Sequence, residues 1–245
     1  FLSREEMLLL VEEDKDVSRT VALVIYSLTR GEKLCSCKLP VEIFNKPIYG
    51  AGFSTKPESR LTDRRHMSPS TMFKTDPALA MICVSFRLAG NPEFICIVLA
   101  VGPFRRICND LLKTHPNRDQ FDWDEWGPSV TSWIPCPAIN VPGYRCTSGP
   151  RILMSGELSV FFKECNDPLG LILMDFNPRP IKRHNSSQQT KDSDVVEFAE
   201  GLEWTHRDID FTIKTTLPFR AFGGKSLPCD YSNFHFEGNT IICRM

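Results

Sequence analysis

The residues best equipped for chemistry lie in one stretch, DWDEWGPSVTSW, over Asp122–Trp133. Asp122, Asp124 and Glu125 alternate there with Trp123 and Trp126. Neighbouring carboxylates can divide general acid and base work between them or hold a hard cation. No second carboxylate cluster or glycine-spaced loop accompanies them, so a solvated acidic turn is the simpler expectation. The tryptophans, Trp133 included, fit two roles. They can anchor a loop against a sheet core, or they can line, with Asp124 and Glu125, a rim for a basic partner. Trp123, Trp126, Asp124 and Glu125 are therefore candidate binding residues. Lys182 and Arg183, in the basic patch Lys182–His184, are candidates for contact with an acidic peptide.

Other chemistries find weaker footing. The ten cysteines include no CxxC pair, and none of the five histidines stands at H-x3-H spacing. No metal and no cofactor is expected on that basis. Cys35 and Cys37 sit two apart on an expected strand and share one face, without an obvious cross-link. Cys83, Cys96 and Cys243 lie inside the apolar runs AMICVSF, FICIVLA and TIICRM, where cysteine behaves as a small buried hydrophobe. Reduced, structural cysteines in a cytoplasmic or nuclear protein are the expectation. A serine hydrolase needs a G-x-S-x-G elbow. The nearest strings, at 52–56 and 127–131, lack the last glycine. Gly224-Lys225-Ser226 is similar to the end of a phosphate loop, but Phe219 occupies the place of the first glycine. No catalytic residue is assigned, and a hydrolase on a β scaffold is the competing reading.

The elements that must position these residues follow from composition and period. The chain has 245 residues, 42% of them hydrophobic, enough for one large core or two small ones. One domain over 1–245 is expected. A net charge of -1, with only small basic patches at Arg64–His66 and Arg105-Arg106, argues against a nucleic-acid partner. The longest apolar run, Phe94–Val101, falls far short of the roughly 18 residues a membrane span needs. Arg4, Glu5 and Glu6 follow Phe1, so no signal peptide is expected.

Strand signals dominate. Met7–Glu12, Thr20–Leu28, Lys33–Leu39, Ala78–Leu88, Phe94–Val101, Arg151–Met154, Leu158–Lys163, Leu169–Phe176, Ile209–Thr215 and Thr240–Arg244 are rich in Val, Ile and Phe and bounded by turn residues. Ala78–Leu88 is apolar on both faces, which predicts an interior strand of packed sheets. Phe104, Ile107, Cys108, Leu111 and Leu112 mark one face of a short helix near 103–113, with Pro103 in its first turn and Pro116 past its end. A second helix is expected over Asp194–Glu200, from the capping-box spacing of Asp194 and Glu197 with Gly201 as a stop. Residues 54–76 and 185–194 read as long loops, the second disordered. The strings LVIYSLTRGE (23–32) and LILMDFNPRP (171–180) are both apolar strands running into turns, as propeller repeats of about 40–45 residues do. The fold class expected is all-β, an irregular or partial β-propeller of antiparallel sheets, with a β-sandwich pair as the alternative.

Several motifs carry a family resemblance. DWDEWGPSVTSW is followed by Tyr144-Arg145, LILMDFNPRPIKRH (171–184), TTLPFRAF (215–222) and a terminal NTIICRM. In this order the chain resembles the C-terminal region of the F-box proteins expanded in mushroom-forming fungi. That family carries a W-x-x-WGPSxTR stretch, a YGxR-like step, a DFNPxxVKR segment, a SLPYR segment and a closing strand such as RIIGL. FLSREEMLLL and VALVIYSLTRGEKL also resemble its mid-region, so the likeness runs through most of the chain. The resemblance implies a non-enzymatic substrate-recognition region of a ubiquitin ligase adaptor, with a propeller-like β domain and an unknown protein substrate. In such adaptors the F-box docks to the Skp1 subunit of a cullin ligase. No F-box is expected within this chain: LPVEIFNKPI (39–48) has an LPxEI-like opening, but Pro47 would break the helix an F-box needs. Skp1 is expected as a partner only if an F-box lies upstream.

Overall fold

The structure is a computed structural model that describes residues 2, 5–15, 18–40, 48–54, 79–88, 94–136, 145–148, 151–157, 169–177, 195–198, 200–205, 212–223, 233–237 and 240–244. The expected strand Leu158–Lys163, nearly all of the loop over 54–76, the loop over 185–194 and residues 41–47 lie outside the described residues.

In chain order the first elements are β1 (Glu6–Lys15), β2 (Ser18–Ser27), β3 (Glu32–Lys38), β4 (Ile48–Ser54), β5 (Met81–Leu88) and β6 (Phe94–Ala100). The helix α1 (Val101–Thr114) follows, then β7 (Gln120–Phe121), α2 (Trp123–Trp126) and β8 (Thr131–Cys136). The C-terminal half supplies β9 (Arg145–Ser148), β10 (Arg151–Glu157), β11 (Leu169–Asp175), β12 (Val195–Phe198) and β13 (Leu202–Thr205). It closes with β14 (Thr212–Thr215), β15 (Phe219–Gly223), β16 (Asn233–Glu237) and β17 (Thr240–Arg244).

The protein is mostly β, and its strands pair antiparallel except for a short parallel contact of β3 with β7. A first sheet has the order β1-β2-β3-β7, a second β4-β5-β6-β8 and a third β12-β15-β11-β10-β9. The hairpins β13–β14 and β16–β17 form separate pairs.

Alternation along β5 and β6 decides how the sheets stack. Ile82, Val84 and Phe86 from β5 share one face with Ile95, Ile97 and Leu99 from β6. That face packs on Leu8, Leu23, Ile25, Cys35 and Cys37 of the first sheet and on Phe104 and Cys108 of α1. The opposite face, with Met81, Cys83, Cys96 and Val98, packs on Ile152, Ile172, Met174 and Phe219 of the third sheet. The strands β5 and β6 are thus buried on both faces, as the two-faced apolar pattern of Ala78–Leu88 predicts. Burying such side chains contributes roughly 1.5–3 kcal/mol each, so this middle layer holds its neighbours together.

Every expected strand that falls within the described residues is a strand, and the expected helix forms as α1. Its apolar face behaves as read: Phe104 and Cys108 are buried, while Ile107, Leu111 and Leu112 pack at the core edge. The second expected helix does not form. Val195–Phe198 is β12, laddered to β15 from Val195 opposite Phe222 to Phe198 opposite Phe219. Phe198 stacks on Phe219 at 4.6 Å. Two valines and a phenylalanine favour a pleated, half-buried surface, and a partner strand outweighs the cap spacing. Gly201 serves a turn instead of a helix stop, with φ +84 and its N–H donating to the Phe198 carbonyl at 3.3 Å.

Candidate functional site

The stretch singled out by sequence folds as a corner. α2 is one turn long, and its backbone N–H at Asp122 donates to the Glu125 carboxylate at 2.8 Å, the reciprocal half of a capping box. The turn brings three indoles together. Trp123 meets Trp126 edge-on at 5.1 Å and Trp133 at 5.6 Å between centroids. Phe104 of α1 closes on Trp126 at 5.4 Å, and Phe86 of β5 on Trp133 at 6.3 Å. Such edge-to-face pairs add about 0.5–1.5 kcal/mol each beyond the area they bury. The corner therefore ties α1, α2 and the second sheet into one block.

The Gly127-Pro128 step continues it. A Cβ on Gly127 would lie 2.2 Å from a ring carbon of Trp123, so only glycine lets the indole lie flat on the chain. The Gly127 carbonyl accepts from the Thr131 N–H at 3.1 Å and the Thr131 hydroxyl at 2.8 Å. The Pro128 carbonyl accepts from the Thr216 N–H at 2.7 Å.

The outer side of the corner is charged. Arg118 grips Glu125 with both ends of its guanidinium, at 2.8 and 2.6 Å. Lys38 reaches Asp122 at 3.1 Å, and Lys33 pairs with Asp119. The Asp122 N–H, assisted by Arg118, holds the Glu125 carboxyl below its usual range. Lys33 does the same for Asp119. Asp124 is exposed and makes no ion pair among the described residues. Arg118 thus reaches both Glu125 and Asp122, while Lys33 and Lys38 hold Asp119 and Asp122.

The candidate residues thus separate. Asp124 and Glu125 stand on the surface as expected. Trp126 does not line a rim: it is 1% exposed, and its indole N–H donates to the Lys38 carbonyl at 3.1 Å. With that polar atom satisfied, nothing opposes burial of the ring. Trp123 is half-buried. Lys182 and Arg183 lie outside the described residues.

Two constellations escape a reading by motif. The first joins segments that carry the family resemblance. Asp175, the acid of DFNP, is 5% exposed at its side chain and sits between Arg151 at 3.3 Å and Arg220 of LPFR at 3.8 Å. The registers place Asp175 opposite Arg151 on one side and Arg220 on the other. With Thr216 bonded to Pro128, the WGPS, DFNP and LPFR segments form one connected structure. Only cross-strand register could have revealed this.

The second is a group of sulfurs. Cys35 and Cys37 face inward from β3, and Cys108 of α1 lies against them. The three Sγ atoms are within 4.8 Å of one another, with Cys37 and Cys108 at 3.6 Å. S–H groups of Cys108 and Cys37 beside Cys35 lower its pKa, and the same contacts raise that of Cys37. Cys35, Cys37, Cys83, Cys96 and Cys108 are free and buried, Cys83 and Cys96 as expected.

Comparison with known protein families, curated proteins and solved structures found no match. No described helix is long and apolar enough to cross a membrane.

Proposed function

We propose that this chain is a non-enzymatic protein-interaction domain, the substrate-recognition region of an F-box-type ubiquitin ligase adaptor, built as an irregular or partial β-propeller. The observation that supports it is the indole-locked corner with its acidic outer side. Trp123, Trp126 and Trp133 fix the backbone there, so Asp124 and its neighbours are presented without further ordering, and a pre-organised surface loses little entropy on binding. The partner is a basic segment of a protein substrate. Contact of Lys182 and Arg183 with acidic peptides belongs to the same proposal. Three sheets packed face to face support the propeller-like reading, as does the interlocking of the segments that carry the family resemblance. Placement in cytoplasm or nucleus belongs to the same proposal, and Skp1 joins it only through an F-box upstream.

The test uses Asp124→Lys. Asp124 is exposed, so the variant should melt as the wild type does. Crosslinking capture should then lose the basic proteins the wild type retains. An unchanged captured set at equal melting temperature would remove the corner from the proposal.

A further inference from the structure

We infer that Cys35, Cys37 and Cys108 form a trithiolate site for a single soft, thiophilic cation, with copper(I) the chemistry that fits. The argument begins with spacing. A metal about 2.3 Å from each of three sulfurs sets them about 4 Å apart in a plane. Cys37 and Cys108 stand 3.6 Å apart and no pair of the three exceeds 4.8 Å, so a metal fits among them with only small side-chain adjustment. Two of the ligands are alternate residues of one strand and the third sits on a helix, so rigid elements aim all three at one point. Cys35 and Cys37 are 0% exposed and Cys108 is 1% exposed, so water is excluded.

Donor type selects the metal. Thiolates favour copper(I), zinc and iron–sulfur clusters over hard cations. Structural zinc is almost always four-coordinate. Among the described residues no fourth His, Cys, Asp or Glu joins the three thiols, which suits an ion content with three.

A small surface depression of about 10 Å³ lies over the site, lined by Cys35 and Cys108 together with Glu6, Arg105 and Asn109. Loading exchanges protons for metal: three thiols and one Cu⁺ give a tris-thiolate complex of charge minus two and release three protons. Lys33 acts favourably on a Cys35 thiolate and its partner Asp119 against it, and Arg105 at the pocket is held by Glu6 at 2.8 Å, so both cations are shared with carboxylates.

The test adds copper(I), as its acetonitrile complex, to the reduced full-length chain without oxygen, and follows thiol alkylation residue by residue. Metal bound only to the folded state suppresses opening, so labelling of Cys35, Cys37 and Cys108 should slow by about tenfold or more. Labelling of Cys83 and Cys96 should not change. X-ray absorption should show a shell of three sulfurs, and Cys108→Ala should lose it while Cys83→Ala keeps it. Unchanged labelling of the three thiols overturns the inference without recourse to any variant. So does protection at other cysteines instead, or a shell completed by nitrogen or oxygen.

Discussion

Trp123 lies so close over Gly127 that a Cβ there would stand 2.2 Å from its ring. The glycine and the indole therefore specify each other. Trp123 in turn touches Trp126 and Trp133, so the pair controls the whole corner.

Gly127→Ala should push Trp123 off both indoles. Overpacking of this kind typically costs about 1–3 kcal/mol. Chemical denaturation should show the loss, and near-ultraviolet circular dichroism should change with it. A variant as stable as the wild type, with the same aromatic spectrum, would refute the close packing.

Trp126 should behave as a core residue. Trp126→Ala leaves a large cavity, worth about 3–5 kcal/mol. Trp126→Phe keeps most of the volume but leaves the Lys38 carbonyl without its indole donor, at about 1–3 kcal/mol. Melting curves separate the two. Were Trp126 instead an exposed binding residue, both variants would melt like the wild type.

Asp175 should prove structural. Asp175→Ala leaves Arg220, itself 16% exposed at its side chain, facing an empty place. Removing one partner of a fully buried pair costs about 3–5 kcal/mol, and the partial exposure of Arg151 reduces this to about 2 kcal/mol. A double-mutant cycle with Arg220→Met should show strong coupling. Additive effects would mean that the contact carries no energy.

Acid should loosen the corner. The folded pKa of Glu125 lies below its ordinary value of 4.5, so the folded state binds fewer protons. Stability from Glu125 is then complete above that value and is lost as pH falls through the folded one. Asp119, held down by Lys33, acts in the same direction. Glu125→Gln should reduce the gap between denaturation midpoints at neutral and acidic pH. An identical gap in the variant would show that Arg118 and the Asp122 N–H do not favour the charged form.

Much of the fold was legible because its causes are local. Apolar alternation and turn residues mark β2, β3, β5, β6 and β11 within their own few residues. The 3.6-residue period of Phe104, Ile107, Cys108, Leu111 and Leu112 marks α1 the same way. The failure at Val195–Phe198 shows the limit: cap spacing argues for a helix, but the outcome depended on β15, which is remote in the sequence. The strands β4, β7, β8, β9, β13, β15 and β16 were missed because they take their pairing from neighbours brought by the fold.

For the sites, sequence alone determined which side chains were available: the indoles and acids of one segment, the cysteines in apolar runs, the acid of DFNP. Tertiary structure decided what they became. It turned Trp126 inward, because Lys38, 88 residues away, offered a carbonyl to its N–H. It set Asp175 between Arg151 and Arg220 through strand register. It carried Cys108 across 71 residues to Cys37, a contact no local spacing encodes, since it depends on how α1 packs against β3.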